Sequence, residues 1–354
     1  MMNTILRALS VGILCTLYMP ILSHAQQQDS TQREYLSNRT FGKYFISDHY
    51  APIQKISLGF ISNSRDYNIN RSRTSDHILV NETSIGFNIP ILTKRSRRKG
   101  TQFSLSVPVS ASILFDFLEE ETSPIINTDY RFGIIELNYN KEMNSEWVRN
   151  IGIKWIPLFH ESTHIGDELT VVRAQDSLGI TRINVTYEAT DISVQINDPK
   201  DRVITNHSFK LGGRFLLNPN KGYYSVSELE ADTNLVEDSK RFFEPYLQWQ
   251  YQKRKGFFTS DRVMFIASAS LNYRVRFGYP FYTEDADGNP IQNDNRERYK
   301  PSLNVLAGWR FKKTPDALSK LGAYARFYSG VNYHGQFRNG PTFQFFGFSI
   351  IYEN

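Results

Sequence analysis

Apolar and polar residues alternate along most of this chain with a period of two. In "QFSLSVPVSASILFDF", 102–117, Phe103, Leu105, Val107, Val109, Ala111, Ile113, Phe115 and Phe117 take the odd positions. Gln102, Ser104, Ser106, Ser110, Ser112 and Asp116 take the even ones. A helix would scatter these two sets around its circumference, whereas a strand separates them onto two faces. The pattern recurs in about twelve segments, at 52–62, 78–91, 101–117, 129–141, 148–164, 179–196, 205–217, 243–253, 262–278, 300–312, 319–334 and 341–352. Each approximates or exceeds the nine to eleven residues that cross an outer membrane as a tilted strand.

One face of these segments is Phe, Leu, Ile and Val; the other is Ser, Asn, Gln, Gly and Arg. A secreted β-sandwich would show a polar outer face over an apolar core. A repeated set of charges such as Arg214, Arg274, Arg276, Arg310 and Arg326 does not suit such a core. A polar lumen inside an apolar wall accommodates it, so the expected fold is all-β: a transmembrane, antiparallel, up-and-down β-barrel of about twelve strands. The connections agree. Alternate linkers are long and several are acidic ("EEETSP", "ELEADTNLVED", "TEDADGNP"), while those between them are shorter and mostly basic ("TKRSRRKG", "QKRKG"). The last strand puts Phe346, Phe348, Ile350 and Tyr352 on one face, which resembles the C-terminal insertion signal of bacterial outer-membrane proteins.

The first residues change the picture of location. Arg7, the apolar run "ALSVGILCTLYMPILS" and the small residues Ser23 and Ala25 form a secretory signal, 1–25, with cleavage expected after Ala25. The expected organisation is then signal peptide 1–25, a periplasmic segment 26–50, and an outer-membrane barrel 51–354. The single cysteine, Cys15, falls in the signal, so the processed chain has no thiol for catalysis, zinc or disulfides. A net charge of +5 is too small, and too dispersed among turns, to imply nucleic-acid binding. The expected partners are outer-membrane lipids, lipopolysaccharide and the barrel-insertion machinery.

The string His160-Glu161-Ser162-Thr163-His164 matches the H-E-x-x-H signature of zinc metalloproteases, which requires a helix. On a strand the two histidines are about 13 Å apart along the axis, at about 3.3 Å per residue, and Glu161 points the other way. A shared zinc ion is then out of reach. Alternation places His160, Ser162 and His164 on the lumen face near the outer rim, with Asp167 and Glu168 beginning the loop. A β-bulge at Pro157 would reverse that assignment, since one extra residue swaps the faces.

His160-x-Ser162 resembles the His-x-Ser strand motif of outer-membrane phospholipase and lipid A deacylase barrels. That resemblance implies an ester hydrolase in which Ser162 attacks, His160 takes its proton and Asn184, on the next strand, orients the imidazole. The longer string His160-x-Ser162-x-His164-x-Gly166-Asp167-Glu168 resembles that of an uncharacterised bacterial outer-membrane barrel family, which implies the barrel and its location but no reaction. Three functions stay open on the sequence. The cluster of His160, Ser162, His164, Asp167 and Glu168 is a rim network that is structural or binds a polar ligand; or it is a lipid acyl hydrolase; or the arginines line a narrow solute channel. The hydrolase reading admits Ca²⁺ as a cofactor, and nothing else in the sequence calls for one.

Overall fold

The structure, a computed structural model, describes residues 31–36, 43–62, 77–96, 98–117, 125–166, 181–199, 204–217, 220–225, 234–235, 242–254, 258–276, 281–284, 290–293, 298–314, 320–335, 338 and 342–353. The wall of the barrel, numbered by itself, consists of β1 (Gln54–Ser62), β2 (His77–Ser96), β3 (Thr101–Asp116), β4 in two segments (Ile125–Gly133 and Glu136–Glu142), β5 (Asn150–Ile165) and β6 (Thr181–Ile196). It continues with β7 (Thr205–Leu216), β8 (Phe242–Lys253), β9 (Val263–Arg276), β10 (Arg298–Lys312), β11 (Lys320–Gly330) and β12 (Phe343–Glu353). Each pairs antiparallel with the next, and β12 returns to β1 from Gln344↔Ser62 to Tyr352↔Gln54, closing the sheet. The twelve expected segments are these twelve strands, and no helix occurs among the described residues. Closure leaves no edge with unpaired backbone groups in the wall. Outside the wall, Thr31–Tyr35 pairs with Leu92–Ser96, and Phe281–Glu284 and Pro290–Asn293 form a hairpin of their own.

The two faces are as the alternation requires. Ile56, Leu58, Phe60, Phe87, Leu211, Leu247, Phe346 and Phe348 are exposed on the outside, while Ser104, Lys210, Gln248, Ser268, Ser270, Arg274 and Arg326 are buried inside. Four of the five expected lumen arginines (Arg214, Arg274, Arg310 and Arg326) are buried there. Arg276 is half-buried, because Val275 breaks the alternation by turning inward after Arg274.

The lumen is filled from both ends. Residues 43–53, most of them expected in the periplasm, run inside the barrel instead. Ile46 N–H donates to Gln250 Oε1 (3.1 Å), Ser47 and Ser268 hydroxyls meet at 2.8 Å, and Asn304 donates to the Ser47 carbonyl (2.7 Å). At the other end β11 stops at Gly330, four residues before the expected end. Gly330 has φ +151°, and an added Cβ would lie 2.4 Å from Ser302 Cα, so only glycine allows this departure from the sheet. The chain then folds inward, and Asn332, Tyr333, His334 and Arg338 are buried in the lumen.

Three strands, β2, β3 and β5, carry an apolar–Pro–apolar triplet: Ile89-Pro90-Ile91, Val107-Pro108-Val109 and Ile156-Pro157-Leu158. The pairing slips beside each of them. The β2–β3 register shifts between Pro90 and Leu92. Pairing of β3 with β4 jumps from Ser106↔Glu136 to Val109↔Phe132, and that of β5 with β6 from Ile156↔Asp191 to Phe159↔Ala189. Proline has no N–H to offer a ladder, so it is tolerated where the ladder is already interrupted.

Candidate functional site

The slip at Pro157 decides which way the His-Ser-His string faces. Lys154 and Ile156 are buried in the lumen; after the bulge the buried residues are Phe159, Glu161 and Thr163. His160, Ser162 and His164 therefore lie on the outer face, not the lumen face expected from strict alternation, and Phe159 turns inward where it was expected outside. Their cross-strand partners on β4 confirm the direction: His160 pairs with Phe132 and Ser162 with Tyr130, each about half exposed on the outside. The expectation of a lumen-facing cluster is thus corrected by a single extra residue.

On that outer face the Ser162 hydroxyl lies 3.1 Å from His164 Nε2. The expected partner was His160, but its Nδ1 faces Glu188 Oε1 at 3.4 Å on β6. Tyr130 packs an edge against the His164 ring, with centroids 5.9 Å apart. Glu188, not Asn184, stands opposite His160 in the β5–β6 register. Asn184 is four residues farther along β6, where it pairs with Gly222. Asp167 and Glu168 lie outside the described residues.

Glu161 has a different task from the one its motif suggests. It is buried in the lumen, where its Oε2 accepts from Arg131 Nε (3.1 Å) and the Tyr187 hydroxyl (2.6 Å). Thr163, beside it, donates to Asn127 Oδ1 (3.2 Å). The five residues are extended, with the carboxylate on one face and both imidazoles on the other, so zincin geometry is not formed. Among the described residues no group of three or more potential metal ligands comes together.

Three of the lumen arginines are engaged by carboxylates. Arg214 Nε lies 3.0 Å from Asp191 and its Nη2 3.6 Å from Asp48 of the inserted segment. Arg326 reaches Glu82 (2.6 Å), and Arg310 reaches Glu353 (2.5 Å). Arg274 donates to the Tyr50 hydroxyl (2.8 Å). Of the other wall carboxylates, Glu136 is held by Lys154 (3.2 Å), and Glu188 faces outward beside His160.

Sequence reasoning missed the residues that fasten the two insertions. His334 Nδ1 lies 2.7 Å from Asp129 Oδ2, the Tyr333 hydroxyl donates to Glu82 (2.5 Å), and Arg338 pairs with Glu244. The guanidinium of Arg214 sits over the Tyr50 ring at 3.7 Å, and Lys154 over the Tyr44 ring at 3.4 Å. A signal was available: "KYFISDHYAP" (43–52) and "VNYHGQFR" (331–338) are too aromatic for solvated linkers, although neither shows a period.

Residues 62–204, a span that includes 160–168, match a family model described as "Protein of unknown function (DUF1207)". No curated protein sequence matches the chain. Among solved structures it is similar to the translocator domain of autotransporter NalP from Neisseria meningitidis (8% identity, 85% of this chain and 86% of that one, TM-score 0.39). It is also similar to outer membrane phospholipase A from Escherichia coli (11%, 85% and 94%, TM-score 0.36) and to LpxR from Salmonella typhimurium (10%, 85% and 100%, TM-score 0.32). Identities this low say nothing about individual residues.

Proposed function

We propose that this chain is an integral outer-membrane barrel whose outer face hydrolyses acyl esters of membrane lipids, with Ser162 as nucleophile and His164 as its base. Three features support the membrane setting: the closed wall, the exposed Ile, Leu and Phe around it, and the signal-like first 25 residues. Leaving so much apolar surface in water would cost about 25 cal/mol per Å², a cost that lipid removes. The outward apolar residues of β5, Ile153 and Trp155, precede His160, which supports placing 160–164 at the level where outer-leaflet head groups begin.

The observation that carries the hydrolase is the 3.1 Å contact between Ser162 Oγ and His164 Nε2 on the lipid-facing side. In the proposed reaction Ser162 Oγ attacks the ester carbonyl while Nε2 accepts its proton. The tetrahedral adduct collapses, the C–O bond to the head-group alcohol breaks, and Nε2 returns the proton to the departing oxygen. Water, deprotonated by the same nitrogen, then releases the acyl group as a fatty acid and frees Ser162. His160, paired with Glu188, acts as a neighbouring polar contact for the head group. Ca²⁺ is a candidate cofactor for stabilising the oxyanion, and the assay below includes it.

A second reading, a rim network or polar-ligand site without catalysis, is favoured by the His160–Glu188 pair, which ties two strands together at 3.4 Å. The filled lumen argues against an open solute channel. The test is fatty-acid release by refolded protein from phospholipid and from lipopolysaccharide, each with and without Ca²⁺. Activity lost with Ser162→Ala and with His164→Ala, but kept with His160→Ala, supports the dyad; no release under any condition removes it.

A further inference from the structure

On the side opposite Ser162, the outward residues of β7–β10 end in a belt of rings. His207 and Trp249 stack with centroids 6.2 Å apart, Tyr251 lies 4.9 Å from His207, and Phe265 stands between Tyr251 (6.5 Å) and Trp309 (5.9 Å). All five project toward lipid, since Asn206, Gln250, Ile266 and Arg310, which alternate with them, are buried inside. At the other end of the same strands Tyr273 and Tyr299 stack with centroids 5.4 Å apart. Amphipathic rings settle at the level of lipid head groups, so the two sets bracket the apolar band.

Just past the inner belt stand three exposed cations. Lys253 follows Tyr251 on the same face of β8, Arg262 immediately precedes β9, and Lys313 immediately follows β10. The Lys312 N–H donates to the Arg262 carbonyl (2.9 Å), which sets Arg262 beside the Lys312–Lys313 corner. Among the described residues none of the three is in ion-pair contact with a carboxylate. Asp261, next to Arg262 in sequence, is taken up by Arg254 at 3.0 Å. Rings alone suit any head group, whereas cations without a counter-charge at this level select for one that brings negative charge.

We infer that the periplasmic rim of β7–β10 binds an anionic glycerophospholipid of the inner leaflet of the outer membrane. Its acyl chains lie along the apolar wall, its glycerol at the rings and its phosphate among Lys253, Arg262 and Lys313. A zwitterionic head group carries an ammonium beside its phosphate and would bring that positive charge to the same cations, so a net anionic head group is preferred. The cations directly adjoin the lipid-facing rings, which favours a lipid over an acidic periplasmic protein. This site rests on the membrane setting proposed above and is independent of the Ser162–His164 dyad.

The experiment is native mass spectrometry of the refolded full barrel, released from non-ionic detergent after incubation with equal amounts of phosphatidylglycerol and phosphatidylcholine of identical acyl chains. Saturable retention of phosphatidylglycerol, favoured roughly fivefold or more, is the expected result; about fivefold is what one basic side chain near an anionic lipid surface contributes. The triple variant Lys253→Gln/Arg262→Gln/Lys313→Gln should retain both lipids equally with an unchanged unfolding midpoint, and Lys253→Gln alone should lose part of the preference. Lys94→Gln/Lys99→Gln removes two exposed cations at the β2–β3 turn and should keep it, as should Ser162→Ala. Equal retention of both lipids by the parent would leave the cations to a protein partner and overturn the inference. An undiminished preference in the triple variant, or its loss in the β2–β3 variant, would do the same. Insertion into liposomes is scored separately by protease protection. A barrel that fails to insert contradicts the membrane setting, whereas one that inserts without preferring phosphatidylglycerol contradicts this inference alone.

Discussion

The imidazole of His49 lies flat against the ring of Tyr333, with centroids 4.3 Å apart and planes 15° from parallel. His49 belongs to the segment that enters the lumen before β1, and Tyr333 to the chain that folds inward after β11. The two insertions therefore meet in the interior. Tyr333 is held in turn by Glu82, and Glu82 by Arg326 and Lys55, so one chain of contacts ties wall, plug and loop together.

Blocked conduction follows from that meeting. In planar bilayers the intact protein should be electrically silent. Replacing 331–338 with a Gly-Ser linker should leave it silent, because 43–53 still fills the lumen. Removing 43–50 as well should open a conductance; current through the intact barrel would contradict this.

Glu161 should matter for stability and not for chemistry. Glu161→Ala leaves Arg131 buried without its carboxylate and removes the acceptor of Tyr187, a change expected to cost about 3–5 kcal/mol. Urea unfolding of the refolded barrel reads the loss as a lowered midpoint. A Glu161→Ala barrel that is as stable as the parent but inactive would return the string to a catalytic role for the glutamate.

Two lumen arginines should respond differently to the same substitution. Arg214→Met strands Asp191 and Asp48 in the interior and should destabilise by about 3–5 kcal/mol. Arg274 donates to the Tyr50 hydroxyl and, among the described residues, is in ion-pair contact with no carboxylate. Arg274→Met should cost clearly less, measured by the same urea midpoints.

Orientation of the string is directly testable because the only cysteine, Cys15, lies in the signal-like segment. In protein expressed from residue 26, Ser162→Cys should react with a lipid-soluble maleimide in liposomes, and Thr163→Cys should be protected. Deleting Leu158 removes the extra residue of the bulge, so the pattern should invert or the barrel should fail to insert.

Strand number, spans and facing were largely legible, because a closed wall between lipid and a polar lumen forces period two on every strand. The expectation failed where that period slips. In Ile156-Pro157-Leu158-Phe159 all four residues are apolar, so alternation gives no warning that one of them is extra. His160, Ser162 and His164 were placed correctly on one strand and one common face, but the wrong one. That Ser162 meets His164 and not His160 depends on rotamers and on Glu188 across the strand pair. The lumen filling was not legible either: Asp129 and His334 are joined by a 2.7 Å contact across 205 positions of sequence.

The most direct test of the account is fatty-acid release from phospholipid or lipopolysaccharide bilayers by the refolded barrel, comparing the parent with Ser162→Ala, His164→Ala and His160→Ala. The dyad predicts that the first two lose about 10³-fold or more of the rate, as removal of a nucleophile or its base does in serine hydrolases, while His160→Ala keeps most of it. No release by the parent, or release unchanged in Ser162→Ala, would contradict it.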